Sequence, residues 1–406
     1  MIKAKTQSFI ALAYFLIASS LGIILRLFPT ININANYKFI VHTHSHIALL
    51  GWVYVGLTTL IFHLFIKSEA QKKYLKLFFA TQITLIGMLI SFPITGYALF
   101  SIIFSTLFLI CSYWFYGFYR KNNSFNKDSY ASKFIYTSLI FMITSSIGPW
   151  ALGIIMNTLG STSHWYKNAI YFYLHFQYNG WFTFCLLGLL FYLLEKNTVS
   201  IPKKVITDFY RLMVYSCVLT LFLSFLWTDP PFIVYFLAII GVFYQLFAFL
   251  KLYQLIKKYK AIIKNSTSFF FYKLLNLVFI LFSIKIAMQS ITTIPYFATL
   301  SFQIKDFVIG YLHLVFLGII SLTLLYFLHQ NKLISIPKKW LIMYLIGFIL
   351  SEILIFYKGF SNWQQLSIIE NYYILLIIVS ALMPIGIIGV FFSNLKSTFS
   401  TPKESL

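Results

Sequence analysis

Charged residues are scarce in this chain of 406 residues. Asp, Glu, Lys and Arg together make up 10% of it, whereas about a quarter of the residues of an ordinary soluble protein are charged. Hydrophobic residues reach 60% and the mean hydropathy is +0.84. This balance excludes a water-soluble globule, a disordered chain and a repeat solenoid with polar caps. The composition therefore predicts a polytopic membrane protein in contact with the lipid bilayer.

Acidic residues are the scarcest charged type, with nine Asp and Glu against 31 Lys and Arg and a net charge of +22. A basic surplus of this size is also found in nucleic-acid-binding proteins, but the positions of the basic residues indicate another cause. If the N-terminus is cytoplasmic, 25 of the 31 fall on the cytoplasmic side of the predicted helices. This is the positive-inside bias of membrane proteins. We therefore expect both termini in the cytoplasm, a bacterial cytoplasmic (inner) membrane location and no nucleic-acid partner.

Cysteine is nearly absent and shows no paired spacing. Cys111, Cys185 and Cys217 all fall inside apolar runs, which predicts neither a disulfide framework nor a zinc site. The first apolar run is followed by Arg26 and Phe28 instead of a small-residue cleavage site. We therefore expect this run to be kept as a membrane span. The three cysteines are expected to be small packing residues.

Apolar runs of about 20 residues, the length that a bilayer requires of a helix, occur twelve times. The sequence predicts an all-α bundle of about twelve transmembrane helices, a single transmembrane domain over residues 1–406. The expected spans are 8–28, 39–66, 74–92, 94–119, 133–159, 166–194, 205–227, 231–256, 268–296, 304–329, 338–357 and 370–393.

Three histidines stand at similar depths in the even-numbered spans. Counted from the outer end of its span, each of His46, His175 and His313 lies eight or nine residues in, or about 12–14 Å at the rise of an α-helix. Lys285 and Gln289 reach a similar level from the ninth span. For a single histidine inside a span, the usual explanation is a core residue whose ring nitrogens are satisfied by hydrogen bonds. Three at one level favour a cofactor site, because imidazole is the commonest metal ligand and a typical axial ligand of haem.

The remaining histidines have other interpretations. His42 shares a helix face with His46, and could bind a haem propionate or a second metal, or simply face solvent. His63 and His329 fall at cytoplasmic helix ends, where an imidazole can reach water and headgroups. His164 lies in an outer loop. We expect these last three to be interfacial or solvated.

The histidine motifs resemble those of subunit I of the haem-copper oxidase superfamily. That group includes oxygen-reducing terminal oxidases, bacterial nitric oxide reductases and NnrS-like membrane proteins. Twelve helices with both termini inside are its architecture, and His46 in HTHSHIALLGW is similar to its low-spin haem ligand on the second helix. In VIGYLHLVFLG, Tyr311 and His313 stand where its tenth helix carries a His-x-His pair. The resemblance implies one haem, of unknown type, held between His46 and His313, with Tyr311 at the position of the high-spin haem ligand.

The same resemblance extends to the sixth helix, where the family has a copper ligand followed by a tyrosine. His175 and Tyr178 in YLHFQYNGWF are similar and would be the catalytic residues. However, the seventh span, LMVYSCVLTLFLSFLW, lacks the His-His pair that completes the copper site. Since copper in such a site needs about three imidazoles, this absence argues against a complete haem-copper centre. A respiratory oxidoreductase acting on oxygen or nitric oxide, with an electron-donor or other respiratory subunit as partner, stays open.

Two further ionisable residues, Lys285 and Glu352, fall within predicted spans. Lys285 lies near mid-membrane, where it could line a cavity, hold a haem propionate or extend its charge to the interface. Glu352 is the one carboxylate plausibly inside a span, and we expect it to be partly hydrated. Two alternative functions remain: a secondary transporter or channel with a histidine-lined site, and an oxidase assembly or cofactor-handling factor that uses the outer histidines.

Overall fold

The chain is an all-α membrane protein with twelve helices long and apolar enough to span a bilayer. The computed structural model describes residues 3–124, 129–197 and 199–399, with side chains to residue 395. We number these spanning helices α1 to α12. Their bounds are Ala4–Leu27, Tyr37–Phe65, Ser68–Thr95, Leu99–Asn122, Tyr130–Thr158, His164–Lys196, Lys203–Thr228, Phe232–Lys258, Phe269–Ile291, Lys305–Gln330, Lys338–Trp363 and Tyr372–Leu395.

The predicted spans match these twelve helices to within a few residues, but the break between the third and fourth spans is misplaced. The sequence predicts a break at residues 92–94, but α3 continues through Pro93 to Thr95. The chain instead turns at Gly96, whose φ is +61°, and a Cβ there would lie 2.3 Å from the Phe39 ring. Glycine is the residue that adopts such a φ without strain. The turn therefore follows the glycine and not the proline.

Three spans are irregular. In α5 the helix is interrupted at Ser146, because Pro149 has no N–H to donate to the carbonyl four residues earlier. The last part of α7, Thr220–Thr228, is a 3₁₀-helix. The helix α9 ends at Ile291, before the predicted residue 296, and a short helix Pro295–Gln303 precedes α10.

Contacts between Cα atoms divide the chain into two compact units. The first contains α1 to α4, the end of α10 from Leu324, most of α11 and all of α12. Within it, α1 packs against α2 and α12, and α3 packs against α4. The second contains α5 to α9 and α10 as far as Thr323. Within it, α5 packs against α6 and α7 packs against α8. The single domain predicted over the chain stays a prediction.

The two most buried spans both carry one of the three deep histidines. In the most apolar stretch of each span, 83% of α2 and 78% of α6 is buried. The share is 56% in α10, which carries His313, and also 56% in α3, whereas it is 28% in α4, α8 and α9. The side chains of α2 and α6 are therefore the best shielded from lipid.

A carboxylate anchors the start of α5. Glu195, at the end of α6, accepts hydrogen bonds from the backbone N–H groups of Tyr130 and Ala131, at 2.8 and 3.1 Å, and from the Ser129 hydroxyl at 2.8 Å. We expect Glu195→Ala to lower the free energy of unfolding by about 1–2 kcal/mol, because the first turn of α5 loses its acceptor. Thermal unfolding in detergent measures this loss. Glu69→Ala, at an exposed site, is the control, and an equal loss there would contradict the assignment.

Candidate functional site

A π-helical segment begins directly after each of the three deep histidines. Ile47–Tyr54 follows His46, Phe176–Phe182 follows His175, and Leu314–Ser321 follows His313. Within residues 3–124, 129–197 and 199–399 these are the three π-helices of the chain. Because π-helical turns are rare and occur frequently at functional sites, their coincidence with these histidines makes α2, α6 and α10 the candidate functional helices.

A short motif that sequence analysis missed accompanies each segment. His46, His175 and His313 are each followed five residues later by a glycine, at Gly51, Gly180 and Gly318, and no other histidine in the sequence is. The His-x₄-Gly spacing was readable in the sequence, but an α-helix places residues five apart on different faces. In a π-helix, hydrogen bonds join residues five apart, which brings each histidine and its glycine onto adjacent turns.

Two of these glycines allow close contact with the preceding helix. A Cβ on Gly51 would lie 2.8 Å from Cγ of Tyr14 on α1. A Cβ on Gly180 would lie 2.7 Å from Cβ of Phe141 on α5. Real Cβ atoms are not found at such distances, so each position requires glycine. The two π segments are thus held by the same kind of contact.

The imidazole of His46 has a fixed orientation and one accessible nitrogen. Its Nδ1 donates to the carbonyl oxygen of His42 at 2.8 Å, which leaves the lone pair on Nε2. The hydroxyl of Tyr97, an exposed residue in the α3–α4 turn, lies 3.2 Å from Nε2. Phe92 covers the ring, with centroids 4.4 Å apart. A histidine that binds a metal is commonly oriented by a carbonyl in this way.

The neighbouring histidines of α2 make other contacts. The His42 ring stacks edge-on against Tyr97, with centroids 4.6 Å apart. His44 donates from Nδ1 to the carbonyl oxygen of Ala18 on α1 at 2.8 Å, and its ring lies 3.2 Å from the Cβ position of Gly22. His44 therefore joins α2 to α1, and His42 lies one turn outward of His46 on the same face.

His175 is buried and both of its ring nitrogens are engaged. Nε2 donates to the carbonyl oxygen of Cys217 on α7 at 2.8 Å. Nδ1 accepts from Nδ2 of Asn179 at 3.1 Å. The resulting tautomer is assigned from this network. A copper ion would have to displace Asn179 to reach a lone pair on this ring.

Lys285 completes the network around His175. Its side chain is 3% exposed, and Nζ donates to Oδ1 of Asn179 at 2.6 Å. A cavity of about 20 Å³ beside Nζ is large enough for one water molecule. One turn further along α9, Gln289 accepts from Gln245 at 3.0 Å. The lysine does not extend to the interface, as one sequence interpretation had it, but ends in a buried polar cluster within the second unit.

The residues around His175 do not fit a copper centre. No group of three His, Cys, Asp or Glu side chains suitable for a metal ion occurs among the described residues. Tyr178 lies beside His175, with ring centroids 6.4 Å apart, and contacts Tyr311 edge-on at 5.9 Å. Tyr178 and Tyr311 therefore belong to one aromatic cluster, and His313, half-buried, is two residues beyond it on α10.

No protein-family model matches this chain, and no curated protein matches it significantly. The resemblance to haem-copper oxidases rests on the histidine motifs and stays a prediction.

Glu352 differs from its expected state. The sequence indicates a partly hydrated carboxylate, but the side chain is 7% exposed and lies within α11. The expectation was wrong because the packed helices of the first unit exclude water from this side chain. Arg26, at the C-terminal end of α1, is the charged group that acts on the carboxyl, and it donates to the Ser380 hydroxyl on α12.

The cysteines behave as the sequence predicts. Cys111, Cys185 and Cys217 are buried and form no disulfide. Cys217 lines the small cavity beside Lys285. His63 and His164 are exposed, as expected, and His329 is half-buried, with Nδ1 3.3 Å from the Ile334 carbonyl.

Proposed function

We propose that this chain is a haem-binding redox protein of the membrane, with His46 as one axial ligand. The observation that carries the proposal is the state of the His46 ring. A backbone carbonyl holds Nδ1, and the lone pair of Nε2 points to a tyrosine hydroxyl that is itself exposed and can be displaced. This donor chemistry suits haem iron, which takes a neutral imidazole. Haem bound there would supply one-electron chemistry.

The second axial ligand follows from the sequence resemblance. That resemblance assigns His313, which precedes its π segment and glycine in the same way as His46 does. His42, one turn from His46, is assigned to a propionate and Lys285 to a separate polar cluster. Copper is not part of the proposal, since His175 uses both ring nitrogens in hydrogen bonds.

A visible spectrum of the purified full-length chain tests the proposal. We expect a sharp low-spin α-band in the reduced-minus-oxidised spectrum and about one haem per chain by the pyridine haemochrome assay. His46→Ala and His313→Ala should each lose the low-spin band, whereas His63→Ala, at an exposed helix end, should keep it. His46→Gly should regain the band when imidazole is added to the buffer. That rescue separates ligation from a general role in folding.

Two results would contradict the proposal. The first is a chain that folds but carries no chromophore after expression with haem supplied, which would favour transport through the polar cluster around Lys285. The second is a His46→Ala protein with an unchanged spectrum. Stoichiometric copper on the same sample would instead require that Asn179 leaves His175.

A further inference from the structure

The Tyr97 hydroxyl occupies the one lone pair that the His46 ring can offer. Nδ1 of His46 gives its hydrogen to the His42 carbonyl oxygen at 2.8 Å, so the Tyr97 hydroxyl is the donor in its 3.2 Å hydrogen bond with Nε2. A neutral imidazole has a single acceptor nitrogen. Iron, or any other electrophile, therefore reaches Nε2 only after the Tyr97 hydroxyl has left it.

Aromatic rings surround the imidazole and hold the tyrosine over it. Phe92 packs on the His46 ring, with centroids 4.4 Å apart, and meets the Tyr97 ring edge-on at 5.0 Å. The His42 ring meets Tyr97 edge-on at 4.6 Å. Phe92 is fully buried, whereas Tyr97 is 45% exposed. Tyr97 is therefore the ring that can turn away from His46 without disturbing the packed core.

The backbone on both sides of Tyr97 is fixed by hydrogen bonds. The Gly96 N–H donates to the Phe92 carbonyl oxygen at 2.9 Å and thereby closes the end of α3. The fully buried Ser101 side chain accepts from the Ala98 N–H at 2.9 Å, and its hydroxyl donates to the Gly96 carbonyl oxygen. Rotation of the Tyr97 side chain about its own bonds, with the α3–α4 turn unchanged, is thus the movement that uncovers His46.

We propose that Tyr97 is a side-chain gate over His46, which turns away from the imidazole to admit haem at the end of the first unit that carries the α3–α4 turn. The choice of haem as the incoming group rests on the proposed function, whereas the gate rests on the contacts of His46. Opening the gate breaks one hydrogen bond between neutral groups, whose net contribution is small. The bond from Nε2 to iron replaces it.

Diethyl pyrocarbonate, which acylates the unprotonated nitrogen of an imidazole, tests the gate on the full-length chain without haem in lipid nanodiscs. We expect His46 to react about fivefold faster in Tyr97→Phe than in the wild type, because phenylalanine keeps the ring and loses the hydrogen bond. Tyr97→Ala, which also uncovers the ring, should react faster still. Fragment-ion mass spectrometry locates the label, and the exposed His164 calibrates the reagent. Tyr37→Phe, at another exposed tyrosine of the first unit, is the matched control and should react as the wild type does.

Haem uptake by the same proteins tests the incoming group. After haemin is added to the haem-free chain, the low-spin band should appear about fivefold faster in Tyr97→Phe than in the wild type and reach the same height. Bound haem should then protect His46 from the reagent in both proteins, because iron holds the nitrogen that would react.

Equal labelling of His46 in the wild type and in Tyr97→Phe would overturn the gate. A low-spin band that weakens or is lost in Tyr97→Phe would also overturn it, since Tyr97 would then hold the haem or bind the iron itself. The expected labelling in a chain that takes up no haem would support the gate and contradict the haem proposal, so the two proposals fail separately.

Discussion

Gly180→Leu is expected to destabilise the protein by about 3 kcal/mol or more, enough to reduce the yield of folded chain sharply. Intrinsic helix propensity predicts the opposite, because leucine is favoured over glycine by nearly 1 kcal/mol in a helix. Packing decides the sign. The new Cβ would lie 2.7 Å from Cβ of Phe141, an atom that moves only if α5 moves, and overpacking of this kind typically costs 1–3 kcal/mol for a few added carbons.

Thermal unfolding of the detergent-solubilised protein, followed by fluorescence-detected size exclusion, measures the effect. Gly153→Leu is the matched control, since a Cβ on Gly153 of α5 would meet nothing within 4 Å. It should be neutral or slightly stabilising. Gly51→Leu should behave as Gly180→Leu does, because Tyr14 occupies the corresponding space. Equal unfolding temperatures for the Gly180 and Gly153 variants would refute the close contact with α5.

Asn179→Leu should destabilise the protein by about 3–5 kcal/mol, and Lys285→Met should restore most of that loss. Asn179 supplies the acceptor for Nζ of Lys285 at 2.6 Å and the donor to Nδ1 of His175 at 3.1 Å. Without it, the lysine keeps a buried polar group beside a cavity that has room for one water, and a buried charge deprived of its partner typically costs this much. Methionine at position 285 removes that group while keeping a similar length.

The double-mutant cycle is read from unfolding temperatures of the two single variants and the Asn179→Leu/Lys285→Met protein. We expect a coupling of at least about 1 kcal/mol, since the side chains are in direct contact. Lys285→Met alone should be close to the wild type in stability. Additive effects of the two substitutions would mean that the hydrogen bond does not form, and a strongly destabilised Lys285→Met would mean that the amine has other partners.

Much of the fold was predictable because membrane insertion acts on simple properties. Length and apolarity predict all twelve spans. The turn at Gly96 was misplaced because a proline within a long helix is a weaker signal than a glycine that needs positive φ. A hydropathy profile measures apolarity and does not report which residue adopts the backbone conformation of the turn.

The candidate site was predictable in its residues and not in its partners. His46, His175 and Lys285 stand out because ionisable groups are rare inside spans. That Asn179 connects the last two depends on how α6 and α9 pack, which no spacing within one helix reveals. The carbonyl partners of His46 and His175 are backbone atoms, and side-chain identity does not encode them.

The recurrence of His-x₄-Gly on α2, α6 and α10 also sets the direction of the three π segments. Successive segments are four spans apart. Four crossings return the chain to the side from which it started, so all three segments run through the membrane in the same direction. They are parallel, unlike the inverted repeats of many transporters.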